Sequence, residues 1–250
     1  MNRGVIYIVV GELKYLKECI FSAKSLKKYC PDLPITLFTD KLDVHEDCFN
    51  EIKTIKNDIN PFKNKVKYLY SSPYEWTLFL DSDTQILKPI YEIFDFIKNN
   101  DLALAYVPRI DRSYTPAKLI SYVETNPYNT YNTGVILYKK SEGNEKLFGK
   151  WLEEVMLQDG ATMTSGNRSD QYYFNKLIKD NFHRECNINL AVFPNKIYNV
   201  RPPMIQPLKQ DGEMDNVKIL HCHDLHRSFL MRQSIRAWKK ISQKFSISNT

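Results

Sequence analysis

A chain of 250 residues with 43% hydrophobic composition can bury one large core, and a single domain fits that length better than two small ones. Its formal charge is +6, yet six basic residues, Arg227, Arg232, Arg236, Lys239, Lys240 and Lys244, follow Leu225 without one acid. The remainder is nearly neutral, which argues against a nucleic-acid-binding face across the domain. Five cysteines at 19, 30, 48, 186 and 222 lack CxxC spacing and read as free thiols of a reducing, cytoplasmic setting.

Val5 to Val10 is a continuous β-branched and aromatic run, the pattern of a strand buried on both faces of a parallel sheet, and too short for a membrane span or a signal peptide. Tyr15 to Tyr29 carries Leu16, Cys19, Ile20, Ala23, Leu26 and Lys27 at helical spacing and stops before Pro31. Pro34 to Asp40 is a second strand ending in polar residues. A βαβ start of this kind crosses over right-handed and puts ligand-binding residues, here Gly11, Glu12, Thr39 and Asp40, at the carboxyl ends of strands. Further on, the pattern predicts a helix over Lys63 to Ser71, a strand over Glu75 to Leu80, a helix over Ile90 to Asn99, strands over Leu102 to Pro108 and Thr133 to Lys139, and a helix over Phe148 to Leu157. Alternating strands and helices indicate an α/β fold with a mostly parallel central sheet. Residues 1–224 are expected to form that domain and residues 225–250 a basic amphipathic segment. Long loops are expected at about Arg109 to Tyr131 and Gln158 to Ser169, where a substrate would be admitted.

In Leu78-Phe79-Leu80-Asp81-Ser82-Asp83, an apolar strand delivers two carboxylates one residue apart, which strand alternation would turn to one side. Two hard oxygen ligands with positions left for diphosphate oxygens and water suit Mg²⁺ or Mn²⁺. A metal there would stabilise the negative charge of a departing nucleoside diphosphate. The bland reading of the same tripeptide is a polar strand end with a turn.

These features resemble the GT-A class of glycosyltransferases, a Rossmann-like single-domain fold. The closest resemblance is to family 8, the retaining galactosyl- and glucosyltransferases that include glycogenin and the bacterial lipooligosaccharide galactosyltransferases. The likeness extends over Val10-Gly11-Glu12, Tyr15, Ala23-Lys24-Ser25-Leu26, Tyr131-Asn132-Thr133-Gly134-Val135, Asp170-Gln171-Tyr172-Tyr173-Phe174-Asn175 and Ile219-Leu220-His221-Cys222-His223-Asp224-Leu225-His226-Arg227. It implies a UDP-sugar donor, with Val10, Gly11 and Glu12 lining a uracil pocket and Tyr15 stacked on the base. Lys65 stands nearest the place of the family's basic residue, with Lys63 or Lys67 as substitutes. Ser82 belongs to the donor site with its flanking acids, and Asn132 and Thr133 would contact the donor sugar. Asp81, Asp83 and His221 would hold the metal, with His223 as the alternative histidine, and Arg227 would face the diphosphate. Asp224 stands where the family has a glycine, and Asp admits no such close backbone approach. Gln171 or Asp170 would lie near the anomeric carbon. The resemblance implies retention by front-face attack, whereas an inverting route would use Asp170 as base.

Other readings stay open. Tyr15 is equally a core aromatic of its helix, and Asp170 an ordinary helix cap. His221, His223, Asp224 and His226 form a set that suits a metal-dependent hydrolase. A non-catalytic nucleotide-sugar-binding relative is a further alternative. Met231, Ile235, Trp238, Ile241 and Phe245 recur at helical spacing among basic residues, a stripe that either packs on the domain or rests peripherally on an anionic membrane. The acceptor would be a glycan, a lipid-linked sugar or a protein.

Overall fold

The computed structural model describes residues 2–57, 61–108, 110–111, 118–119, 130–157 and 169–223. Its elements run β1 (Arg3–Val9), α1 (Leu13–Tyr29), β2 (Ile35–Thr39), β3 (Glu51–Thr54), α2 (Pro61–Leu69), β4 (Trp76–Leu80), β5 (Thr84–Ile86), a 3-10 helix (Tyr91–Ile97) and β6 (Leu102–Tyr106). There follow β7 (Ile110–Asp111), β8 (Lys118–Leu119), β9 (Tyr131–Lys139), α3 (Glu142–Met156), α4 (Asp170–Lys179), α5 (Phe182–Glu185), β10 (Leu190–Val192), α6 (Asn195–Tyr198), α7 (Pro202–Gln210) and β11 (Ile219–His221).

Seven strands form one sheet in the order β10-β6-β9-β4-β1-β2-β3. Strands β1, β2, β3 and β4 pair in parallel, as do β6 and β10, and β9 runs antiparallel to both β4 and β6. Alternation along each strand feeds two cores. Val5, Tyr7 and Val9 join Leu78, Leu80, Val135 and Leu137 on the face covered by α1 and the 3-10 helix. Ile6, Phe38, Phe79, Ile136 and Tyr138 meet the other face, under α2, α3 and α4 with Trp151 and Phe174. Both faces are therefore buried, which is why the strands read as unbroken apolar runs.

Helix α1 lays Leu16, Cys19, Ala23 and Leu26 on the sheet, and the Cys30 N–H closes it onto the Leu26 carbonyl just before Pro31. Two polar residues on the same helix, Glu18 and Ser22, are also buried. A third, smaller core of Val200, Met204, Leu208 and Val217 sits by the antiparallel ribbon of β5 and β11. That ribbon leaves the main sheet and carries the chain beyond β4 back against the segment ending at His221.

The segments predicted as Ile90 to Asn99 and Phe148 to Leu157 differ in detail. The first is a 3-10 helix of Tyr91–Ile97, and the second begins six residues earlier, at Glu142, where the Ser141 hydroxyl accepts from the Asn144 N–H as N-cap. No helix among the described residues is long and apolar enough to cross a membrane.

Candidate metal and donor site

The acidic pair does not stand on a strand. Strand β4 ends at Leu80, and Asp81 to Asp83 form a turn into β5. The turn, rather than strand alternation, brings the carboxylates together. It is pinned at every residue that matters. The Asp81 N–H donates to the Gly134 carbonyl, the Thr84 hydroxyl donates to the Asp81 carbonyl at 2.9 Å, and the Cys222 N–H donates to the Asp83 carbonyl. Thr84 is tied in turn to Ser22 of α1 at 2.7 Å, and Ser22 to the buried Tyr7 hydroxyl at 2.8 Å.

His221, at the end of β11, faces this turn. Its Nε2 lies 3.2 Å from Asp83 Oδ1 and 3.6 Å from Asp81 Oδ2. One ligand atom from each of Asp81, Asp83 and His221 falls within 4.8 Å of the others, a set able to hold a metal ion. His223 instead points Nδ1 at the second oxygen of Asp83, 3.3 Å away, and at Glu18 Oε2, 3.7 Å away. The nearby Glu18 carboxylate holds the His223 imidazole above its ordinary value, against the effect of burial and with help from the Asp83 charge. Burial works against ionisation of Asp83 too, but His221, His223 and Arg201 outweigh it and keep the carboxyl below the usual carboxylate range. Asp81 goes the other way, pushed up by burial against the opposing charges of Lys65 and His221.

Gly134 is what lets the two sides approach. A Cβ built there would lie 2.0 Å from His221 Cε1 and 2.7 Å from Asp81 Oδ2. The strand that carries it is irregular at this point: the pairing of β6 with β9 jumps between Leu104 and Ala105, from Ile136 to Asn132. Such an irregularity re-aims side chains at a sheet edge. Here it sends Asn132 and Thr133 toward α4.

Lys65 of α2 bridges the two halves. Its ammonium stands 3.2 Å from Asp81 Oδ1 and 3.0 Å from Asp170 Oδ2, over the Phe79 ring at 5.1 Å. Burial disfavours the charge, yet Asp170 and Asp81 hold the ammonium above the ordinary lysine value. Asp170 Oδ2 also accepts from the Thr133 hydroxyl at 3.0 Å. Gln171 Oε1 accepts from Asn132 Nδ2 at 3.0 Å and from the Thr133 N–H at 3.3 Å. Asp170 is the first residue of α4, whose N-cap is Ser169, so its carboxylate is turned into the lysine pair and not onto the helix end.

No protein-family profile and no curated protein matches the sequence. Solved structures do match the chain. The glycosyltransferase GlyE of Streptococcus pneumoniae TIGR4 superimposes with a TM-score of 0.56 at 18% identity, covering 88% of this chain and 54% of that one. The bifunctional glycosyltransferase WbbM gives 0.55 at 13% identity, covering 88% and 45%. The galactosyltransferase LgtC, solved with donor and acceptor sugar analogues, gives 0.50 at 13%, covering 89% and 87%. The fold is that of the GT-A glycosyltransferases. This chain spans about half the length of the first two relatives.

In this GT-A domain the residues expected at the base pocket occupy the carboxyl end of β1, beside the end of β4 in the sheet. Val10 is buried, Gly11 has φ 87° and donates its N–H to Asp40 Oδ2 at 3.1 Å, and Glu12 is exposed and paired with Lys14 at 3.0 Å. Tyr15 is half-buried, packed against the α1-side core with the Lys14 ammonium 4.7 Å from its ring centre. Asp81, Asp83, His221, Lys65, Asn132, Thr133, Asp170 and Gln171 form one connected cluster, and among the described residues no hydrogen bond or ion pair joins that cluster to Glu12 or Tyr15. Ser82 is the middle residue of the acidic turn and half-buried. Arg227, Asp224, His226 and the stripe from Met231 to Phe245 lie outside the described residues.

Three residues at the site carried no sequence signal. Arg201, N-cap of α7, places its guanidinium against the His221 ring, 3.1 Å from Nε2 and 3.3 Å from Nδ1. Asn199 bonds the same ring from behind, and Glu18 approaches His223. Each stands in a segment without periodicity or motif, or on a helix face that reads as core.

Proposed function

We propose that the chain is a metal-dependent hexosyltransferase that moves a sugar from a UDP-sugar to a glycan, lipid-linked or protein acceptor with retention of configuration. The observation that carries the reading is the convergence of Asp81, Asp83 and His221, from two distant segments, beside a glycine where any side chain would collide with His221 and Asp81. The donor set fits a divalent cation: two carboxylates and one imidazole, with Asp83 and His221 shielded from solvent. Oxygen ligands with one nitrogen suit Mn²⁺ better than Mg²⁺. When bound, such a cation supplies positive charge against the diphosphate of the leaving nucleotide.

The chain's own residues have distinct tasks in this reading. Val10, Gly11, Glu12 and Tyr15 bind the base, and Arg201 adds positive charge beside His221, with Arg227 assigned the same task on the resemblance alone. Asn132 and Gln171 face the donor sugar. With Oε1 already accepting two hydrogen bonds, Gln171 offers its Nε2 donors to sugar hydroxyls and is a poor nucleophile. Asp170 already accepts from an ammonium and a hydroxyl, which makes it a poor base for an acceptor hydroxyl. Both points favour front-face attack with retention over the inverting route. The stripe in residues 225–250 either packs on the domain or rests peripherally on an anionic membrane, and absence of flotation with anionic vesicles would remove the second reading.

The test is incubation with a panel of UDP- and GDP-hexoses and Mn²⁺, with the anomeric configuration of products read by NMR. Turnover is expected with a UDP-sugar, lost in chelator and in Asp83→Ala while the fold persists. Equal turnover in chelator contradicts the proposal.

A further inference from the structure

A histidine binds a metal through the ring nitrogen that lacks a proton, and the proton's place is set by what the other nitrogen meets. Around His221 that choice follows from groups whose polarity is fixed. The backbone N–H of Gly134 can only donate, and it points at the Asn132 side chain at 3.0 Å. The atom it meets is therefore Oδ1. The same oxygen faces the Asn199 amide at 2.9 Å, so Asn199 must present its Nδ2 donor there and its Oδ1 on the other side. That Oδ1 lies 2.8 Å from His221 Nδ1, which must then carry the proton. Nε2, the nitrogen facing Asp81 and Asp83 and 3.1 Å from the Arg201 guanidinium, is thereby the one left to meet a metal.

A second fixed donor agrees. The Thr133 N–H faces Gln171 at 3.3 Å, which makes the facing atom Oε1, and Oε1 accepts from Asn132 Nδ2 at 3.0 Å. Asn132 is thus oriented from both ends, by two successive backbone amides of β9. Asn199 and Asn132 are both buried, at 1% and 7% exposure, so water does not compete for these bonds. Asn199 itself is held by its position next to the bridge that pairs Val200 with Leu220, one residue before His221.

We infer that Asn199 is a positioning residue that fixes His221 in the Nδ1–H form, with the polarity of the relay dictated by the backbone amides of Thr133 and Gly134. The relay links Gln171, Asn132, Asn199 and His221, so the side chains assigned to the donor sugar and the metal ligand are oriented by one chain of bonds. The inference rests on the reading of His221 as a metal ligand. Asn199→Ala frees the ring to turn and to exchange tautomers. Asn199→Asp keeps an acceptor for Nδ1–H but cannot donate to Asn132.

The test uses the full chain with ¹⁵N-labelled histidine, the His221 signals assigned with His221→Ala. Long-range proton–nitrogen NMR of the metal-free protein should show the proton on Nδ1, and this needs no variant. Mn²⁺ titration followed by electron paramagnetic resonance should then show affinity lowered roughly 10- to 100-fold in Asn199→Ala and nearly restored in Asn199→Asp. Melting curves identify a variant that has failed to fold. A wild-type His221 protonated at Nε2 and not at Nδ1, or Asn199→Ala with unchanged tautomer and Mn²⁺ affinity, overturns the inference. If His221→Ala binds Mn²⁺ as wild type does, it is the metal reading of His221 that fails, independently of the tautomer.

Discussion

The two ends of the donor site are built on opposite plans. At the metal end, around the acidic turn, β9, β11 and the start of α4, Asp83, His221, Asp170 and Asn132 are all less than 9% exposed and each is held by others. At the nucleotide end, just beyond β1 and β2, Glu12 is exposed and Tyr15 half-buried, and the polar ties are few. Glu12 meets Lys14 in an exposed pair, and Gly11 and Asn57 both donate to the Asp40 carboxylate. A buried polar network must be complete or it costs stability, so a change at the metal end lowers the stability of the fold even where the fold persists. The nucleotide end can lose function while the fold stays intact.

The sharpest way to break that contrast is Lys65→Met. It leaves the buried Asp170 and the half-buried Asp81 without their shared cation, a change that costs about 3–5 kcal/mol in unfolding free energy by urea titration. A loss below about 1 kcal/mol would mean the network is not holding the fold. Gly134→Ala comes next. Its methyl group must displace His221 or Asp81, so destabilisation of roughly 1–3 kcal/mol in thermal melts is expected, with Mn²⁺ binding lost by calorimetry. On the other edge, Tyr15→Leu keeps the apolar contact with the core but removes the aromatic face. UDP affinity should fall roughly tenfold, about 1.4 kcal/mol, with a melting temperature near wild type.

The smallest effect is expected behind the metal end, where Glu92 of the 3-10 helix accepts from Lys218 and from the Tyr198 hydroxyl. Burial opposes its ionisation, but those two partners hold its carboxyl below the ordinary value. A depressed folded value gives stability that is present above about pH 4.3, the unfolded glutamate value, and is lost as pH falls through the lower folded value. Glu92→Gln should therefore flatten the acid side of the stability curve, by less than about 1 kcal/mol because the group is partly solvated. Urea titrations of both proteins at neutral and acid pH would measure it.

How much was legible follows the same division. The apolar runs of β1, β2 and β4, the helical spacing of α1 and the acidic pair were readable because burial on two faces leaves a strong local pattern. His221 was legible only through the family resemblance, which left His223 open beside it. The Asp81–Asp83 turn was found for the wrong geometric reason, since a turn and a strand end share the same short sequence. Helix α7 was missed because Pro202 and Pro203 open it and Pro207 lies within it, which breaks the usual helix signal. The first turns of α3 were hidden by Glu142-Gly143-Asn144, and β3 is a short edge strand with exposed ends. Asn199 was invisible because its role exists only once β9 and β11 are brought together, and no spacing in the chain encodes that encounter.

The central claim is that a single divalent cation is held between the acidic turn and β11. Crystals soaked with Mn²⁺ and UDP, measured for anomalous scattering, address it directly. The expected result is one strong peak at about 2.0–2.3 Å from an oxygen of Asp81, an oxygen of Asp83 and Nε2 of His221, with diphosphate oxygens completing the shell. A peak on His223 and Glu18 instead, or none near the acidic turn, would contradict it.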